Sequence, residues 1–370
     1  MTNATTADRK PSAARSRALT TLPSALLLLL ALAPARGAAQ ELPGARIHPV
    51  APAAKPQQQA GKPPQVPTII ANADLVNMVF SVEGKHGSYV PNLGEGDFRV
   101  LEDGRPQRVQ FFSLEDQVPL TLGLLLDTSP SQAGILGEEQ QISDNFFRQV
   151  ITPKDLAFVI GFDVDTSLLQ DLTPTTARLS AAVDHAHIGG GDAAGSIVNP
   201  GPFPSRRNAG ATHLWDAIYL ACHDELAHQV GRKAIIVVTD GGEQGSSYTD
   251  QDALRAALDS NTIVFAVIAS DPRFGGYGGF IGPGPGQLAK IAQQTGGRTI
   301  RAGNHLAQAF DQIQRELRSQ YTLGYRSDQR AHDGRFRAVK IELAPAATQG
   351  AAKGAKVRAR TGYFAPGPGH

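Results

Sequence analysis

The sequence predicts an α/β fold in which a doubly wound parallel sheet is accompanied by a flanking β-sandwich. In the central segment, 119–319, short apolar strands alternate with helical patterns, as expected for strands that are buried on both faces of a parallel sheet. The two flanking segments, 68–118 and 320–364, carry short strands and turns instead. A few hairpin strands bury little apolar surface alone. We therefore expect the two flanks to form one sandwich, with the central domain inserted between its halves.

Individual elements follow from the apolar patterns of the chain. The predicted central strands are Leu120–Leu126, Leu156–Phe162, Ala234–Thr239 and Ile263–Ala269. Helical spacing predicts helices at about 138–150, 175–186, 212–229, 250–260, 286–295 and 304–319. The flanks have β-forming runs at Leu75–Glu83, Phe98–Leu114, Tyr321–Tyr325, Phe336–Leu343 and Val357–Phe364.

The first 39 residues are predicted to be a Sec-type signal peptide. A basic start is followed by an apolar run of about ten residues and an exit of small residues, and such a run is too short to cross a bilayer. We therefore expect a secreted or periplasmic protein with no transmembrane segment after signal removal. Residues 40–67 are a predicted Pro/Gln-rich linker, and 365–370 a disordered tail.

The charge of the chain argues against a nucleic-acid partner, and its cysteine content excludes an internal disulfide. The formal net charge is +1, and removing five basic residues and one acidic residue with 1–39 leaves −3. Without basic runs, this near-neutral surface argues against nucleic acid as the partner. Cys222 is the only cysteine, which excludes an internal disulfide, and its apolar helical surroundings predict a buried thiol.

Oxygen-bearing side chains follow two of the predicted strands and open one helix. Asp127, Ser129 and Ser131 come directly after the first central strand, Thr212 begins a helix, and Asp240 ends the strand AIIVVT. The carboxyl ends of parallel strands, where the strand order reverses, are where such sheets bind ligands. Hydroxyls and carboxylates are the ligands that small hard cations prefer. Since only two of the five groups carry charge, such a cation would keep a position for an outside carboxylate.

These three segments resemble the metal-ion-dependent adhesion site (MIDAS) of the von Willebrand factor type A domain. The family pattern is Asp-x-Ser-x-Ser, then a Thr, then an Asp before Gly, and all five positions are present here as Asp127, Ser129, Ser131, Thr212 and Asp240. The resemblance implies a Rossmann-like domain over 119–319 that binds Mg²⁺ (or Mn²⁺/Ca²⁺). It also implies a protein partner that offers an Asp or Glu carboxylate to the metal.

The flanks resemble a bacterial subgroup of secreted von Willebrand A-related proteins. The matching stretches are Asp97–Gly104, with the sequence DFRVLEDG, and Arg360–Pro366, with the sequence RTGYFAP. Together, the two resemblances imply a non-enzymatic, metal-dependent protein-binding or adhesion module. The segment 187–211 next to Thr212 is expected to shape the choice of partner.

Several alternatives compete with this interpretation. Ser129 and Ser131 would have a purely structural role if they capped the next helix, and Asp240 if it only made a turn. The protein could also be an envelope scaffold in which the metal is purely structural. Asp163-Val-Asp165 is similar to the start of a phosphatase motif, although a polar turn between two strands explains it as well. His223 and His228 are five residues apart, whereas a helical zinc pair requires four.

Overall fold

The computed structural model describes residues 75–114, 118–189, 212–269, 284–303, 305–329, 331–350 and 352–367. The predicted signal peptide and linker, most of the segment 187–211 and the end of the predicted tail lie outside these ranges. The described residues belong to a single compact unit. Within them, no helix is long and apolar enough to cross a membrane.

Fourteen strands and seven α-helices are present in these ranges. The strands are β1 (Leu75–Glu83), β2 (Phe98–Glu102), β3 (Arg105–Gln107), β4 (Val109–Leu114), β5 (Leu120–Asp127), β6 (Leu156–Phe162), β7 (Thr166–Thr173), β8 (Arg232–Thr239), β9 (Thr262–Ile268), β10 (Thr299–Arg301), β11 (Gln320–Arg326), β12 (Phe336–Leu343), β13 (Lys356–Ala359) and β14 (Gly362–Phe364). The helices are α1 (Leu136–Val150), α2 (Thr176–Asp184), α3 (Leu214–Leu220), α4 (Asp250–Asp259), α5 (Gly284–Gln294), α6 (Leu306–Leu317) and α7 (Pro345–Gln349).

The central sheet has six strands in the order β10-β9-β8-β5-β6-β7. All neighbours in it are parallel except β6 and β7. The chain leaves β5 toward β6 on one side and later returns to β8 on the other, so the strand order reverses at β5. The carboxyl ends of β5 and β8 therefore flank the crevice in which doubly wound sheets bind ligands.

Helices cover both faces of this sheet. Side chains from α1, α2 and α6 share one apolar core with the sheet, and side chains from α3, α4 and α5 share the other. Helix α3 is shorter than the predicted helix at 212–229, because the chain passes at Ala221–Glu225 into a π-helical turn in which Leu226 N donates to Ala221 O. The predicted α/β fold with a Rossmann-like sheet is confirmed.

The two flanks of the chain pair with each other in two four-stranded sheets. Their strand orders are β13-β1-β11-β4 and β14-β12-β2-β3, so each sheet combines strands from before and after the central domain. The apolar core between them contains residues of both sheets. An aromatic cluster lies in this core, in which the Tyr321 ring is 5.5 Å from those of Phe80 and Phe98 and 5.7 Å from that of Phe112.

Three arginines join the central sheet to the sandwich. Arg232, at the start of β8, donates to the side-chain oxygen of Gln320 in β11 at 3.3 Å and to the carbonyl of Leu317 in α6. Arg298 pairs with Glu83 of β1 at 3.2 Å and with Glu316 of α6 at 2.6 Å. Arg360 donates to the carbonyls of Leu258 in α4 and Asn77 in β1. Because these arginines are buried with their partners, they link the central domain to the sandwich. The exact domain boundaries given above stay a prediction.

Candidate functional site

Asp127 is the last residue of β5, and its carboxylate is completely buried. Its Oδ1 accepts from the backbone N of Ser129 at 2.9 Å, and its Oδ2 accepts from Oγ1 of Thr239 at 2.5 Å. Burial raises the pKa of Asp127 to about 6 although these donors lower it, and the negative charge of Asp240 adds to the rise. The carboxylate therefore lies where a positive charge would stabilise it.

Ser129 and Ser131 lie on either side of Pro130 in a short turn. Their hydroxyl oxygens are 3.0 Å apart, and the single 3-10 turn at Pro130–Gln132 holds this spacing. Helix α1 begins only at Leu136, with Ile135 at its N-cap. Neither serine therefore caps α1, and Ser129, at the N-cap position of the 3-10 turn, makes no side-chain capping hydrogen bond.

Thr212 and Asp240 both lie close to Gly242. Thr212 and Gln244 exchange two backbone hydrogen bonds, of 3.1 and 2.9 Å, while Asp240 Oδ1 accepts from Gly242 N at 2.7 Å. A Cβ on Gly242 would lie 3.0 Å from Oδ1 of Asp240 and 3.8 Å from Oγ1 of Thr212. The side chains of Thr212 and Asp240 are therefore close together. The hydrogen bond from Gly242 also forms the turn that would be the purely structural role of Asp240.

Two carboxylates outside the motif, those of Glu243 and Asp216, fix the position of Thr212 relative to Asp240. Glu243 Oε2 accepts from the backbone N of Leu214 and of Trp215 at the start of α3. In the opposite direction, Asp216 of α3 accepts from the backbone N of Ser247 and Tyr248. These reciprocal contacts fix the helix that follows Thr212 to the loop that follows Asp240. Only Asp216 had a sequence signal, as an acidic residue in the first turn of a helix.

The five predicted side chains form a set that suits a hard cation. Three neutral hydroxyls and two carboxylates supply only oxygen donors, as Mg²⁺ prefers. Among the residues described, no three His, Cys, Asp or Glu side chains come close enough to hold a metal. A cation here would therefore depend on the hydroxyls as well as the carboxylates. That these residues bind a metal stays a prediction.

Glu139 is a further acidic residue near this edge of the sheet. It lies in the first turn of α1 and is completely buried. Burial raises its pKa to about 8, and the negative charges of Asp127, Glu138 and Asp240 contribute. Sequence reasoning missed this residue, although it falls on the apolar face of the helix.

The other candidate residues are not among the predicted five, although the backbone O of Asp163 accepts from the backbone N of His213, next to Thr212, at 2.7 Å. Asp163 accepts from the backbone N of Asp165 at 2.9 Å in the turn between β6 and β7, which is the polar turn that was considered for this segment. His223 contacts Asp224, and both His223 and His228 are exposed. Cys222 is buried as predicted, and burial raises its pKa to about 12.

No protein-family model and no curated protein matches this chain. The solved structures that resemble it include the conserved hypothetical protein BatB from Bacteroides thetaiotaomicron, at 18% identity over 54% of this chain and 100% of that one, with a TM-score of 0.40. Another is the vWF domain of the type V pili tip protein Mfa5 from Porphyromonas gingivalis, at 13% identity over 53% and 94%, with a TM-score of 0.36. A third is proximal thread matrix protein 1 from the mussel byssus, at 12% identity over 59% and 51%, with a TM-score of 0.43. Similarity at this level does not by itself assign a family or a function.

Proposed function

We propose that this chain is a von Willebrand factor A-type module that binds a protein partner through a divalent cation. One observation carries the proposal. Asp127 ends β5 and Asp240 follows β8, on the two sides of the point at which the strand order reverses, and the predicted hydroxyl donors come from neighbouring segments. The chemistry of this donor set fits Mg²⁺, or Mn²⁺ or Ca²⁺.

In this proposal Asp127, Ser129, Ser131, Thr212 and Asp240 hold the cation, directly or through water. When bound, the cation supplies an electrophilic centre for an outside oxygen ligand. A carboxylate that acts through water compensates the positive charge less than a direct ligand does, and the three hydroxyl donors are neutral, so the cation keeps an affinity for a further oxygen ligand. An Asp or Glu side chain of a partner protein would complete the coordination. If the predicted signal peptide directs its export, the module acts outside the cytoplasm, as a secreted or periplasmic binding or adhesion protein rather than an enzyme.

The cation-binding part is tested with Asp240→Ala. Removing one of two carboxylates should abolish Mg²⁺ and Mn²⁺ binding in isothermal titration calorimetry, because the remaining donors leave the cation undercompensated. The control is Asp184→Ala at the exposed end of α2, which removes the same charge away from the site. Unchanged binding in Asp240→Ala would exclude this site.

The partner-binding part is tested by co-purification of the protein with its native envelope fraction. We expect the associated protein to be released by chelator, to return with Mg²⁺, and to be absent with Thr212→Ala. Thr212→Ser, which keeps the hydroxyl, should retain the association. The scaffold alternative predicts a different result: chelator lowers the Tm but the association survives. Retention of the partner by metal-free protein would therefore favour the scaffold.

A further inference from the structure

Glu139 places a carboxylate in the first turn of a helix face that is otherwise mostly apolar. The buried residues of α1 recur with helical spacing, and they are Leu136, Glu139, Ser143, Phe146, Phe147 and Val150. Phe146, Phe147 and Val150 belong to the apolar core on one face of the parallel sheet. This face of α1 therefore packs against the sheet. An acidic side chain at such a position loses its hydration, which destabilises its charged form.

The carboxylate of Glu139 has no protein partner that offsets this loss. Neither of its oxygens makes a hydrogen bond within the described ranges. The charged groups that act on it are Asp127, Glu138 and Asp240, and all three are acidic. Two of these three are the carboxylates of the candidate cation site. An ionised Glu139 would add negative charge to a region that already holds two carboxylates, which is a reason to expect a cation there.

Other polar atoms near Glu139 in the chain are also buried without partners. Oγ of Ser143, one helical turn further along the same face, makes no hydrogen bond, and neither does Oε1 of Gln132. Gln132 closes the turn that carries Ser131. Buried polar groups that lack a partner in the protein usually bind an ordered water molecule. Such a water makes about three hydrogen bonds.

We propose that Glu139 is a third acidic group of the cation site and acts on the bound cation through an intervening water molecule. The inference rests on the function proposed above and extends it by one residue outside the MIDAS motif. A direct bond from Glu139 together with both other carboxylates does not fit, because no three acidic groups among the residues described are close enough to share a metal. Carboxylates beyond the direct ligands orient those ligands and the bound water, and thereby tune metal affinity.

A structural role is the competing explanation. Acidic residues in the first turn of a helix are stabilised by its dipole, and both Glu138 and Glu139 occupy the first turn of α1. Glu138 is exposed, whereas Glu139 is buried. The pair therefore provides a matched control, since the same substitution at either position removes one charge from the same helix turn.

The experiment compares wild type, Glu139→Gln and Glu138→Gln by calorimetric titration with MgCl₂ and MnCl₂. We expect Glu139→Gln to bind both cations about 10- to 100-fold more weakly, which is the range for changes outside the direct ligands. Glu138→Gln should remain within about twofold of wild type, because an exposed charge is screened by solvent. In chelator, Glu139→Gln should melt no lower than wild type, since Glu139 makes no hydrogen bond that the substitution would remove.

Each other result decides against the proposal. Equal cation affinity of wild type and Glu139→Gln would make Glu139 structural, and equal weakening in both variants would indicate a general charge effect. Glu139→Met provides a second test with an apolar side chain of similar size. If neither variant folds, the carboxylate supports the fold without a cation and the proposal is wrong. If wild type itself binds neither cation, the proposed function fails first, which separates the two failures.

Discussion

Thr239 contributes to the candidate site through a hydroxyl group that makes two hydrogen bonds. Its Oγ1 donates to Oδ2 of Asp127 and accepts from the backbone N of Gly241 at 3.0 Å. The residue is completely buried at the end of β8. Thr239 therefore links the carboxyl end of β5 to the loop that carries Asp240, and orients the carboxylate of Asp127.

Thr239→Val should separate this role from packing, because valine has nearly the same shape without the hydroxyl. We expect a loss of about 1–3 kcal/mol in the free energy of unfolding, since the Gly241 N–H and Asp127 each lose a buried partner. Mg²⁺ affinity should fall as well. Thr239→Ser keeps the hydroxyl and should retain the affinity. Urea denaturation and calorimetry measure the two effects, and a Val variant equal to wild type in both would contradict this role.

Sequence reasoning found the residues of the candidate site whose positions follow from the chain alone. Asp127 and Asp240 were predicted because each follows a recognisable buried strand, and Thr212 because it begins a helix. Thr239 and Glu243 were missed because their roles depend on distances across the fold, between β8 and β5 or between a loop and α3. Glu139 could have been found, since it shares the helical spacing of Leu136 and Ser143 on the buried face of α1.

At the level of elements, long apolar strands were the most predictable features of the chain. Strands β5, β6, β8 and β9 all lie where apolar runs bounded by polar residues were recognised. Strand β10 has only three residues, Thr299–Arg301, too few to show a pattern. The short helix α7, at Pro345–Gln349, was missed for the same reason. Its Ala347 is nevertheless part of the sandwich core.

Strand β8 begins with two buried basic residues, Arg232 and Lys233. The ammonium group of Lys233 donates to the carbonyl of Gln229 at 3.0 Å. Burial lowers the pKa of Lys233 from 10.5 to about 8, and the positive charge of Arg360 contributes. Between these pH values the unfolded chain binds more protons than the folded one, so the free energy of unfolding rises with pH in this window.

Lys233→Met tests this linkage. At pH 7 the variant should be more stable than wild type, because it buries an apolar chain in place of a charge. The difference should shrink as the pH rises from 8 toward 10, since wild-type Lys233 then becomes neutral in the folded state. Urea denaturation at pH 7, 8, 9 and 10 measures it, with Lys353→Met as the exposed control. A difference that is constant across this range would show that Lys233 keeps its proton when folded.

At the scale of the whole molecule, the sandwich depends on strand pairing between distant parts of the sequence. Strand β1 lies between β11 and β13, β4 pairs with β11, and β2 pairs with β12. Every one of these partners comes from the C-terminal flank. The buried carboxylate of Glu102 in β2 accepts from Tyr325 and Tyr363, so side chains reinforce the same dependence.

Deleting 320–370 should therefore expose the N-terminal strands while the parallel sheet stays folded. Strands β1 and β4 would lose all their neighbours in the sheet, and β2 would keep only the three-residue β3. Unpaired strand edges and an uncovered apolar face make a segment susceptible to proteases. Limited proteolysis followed by mass spectrometry should thus show cleavage within 75–114 first, with a resistant fragment from about 119 to 319 that keeps its helical circular dichroism. Full-length protein should resist cleavage in 75–114 under the same conditions. If that segment stays protected in the truncated chain, the N-terminal strands fold without the C-terminal flank, and the shared sandwich is not the unit that stabilises them.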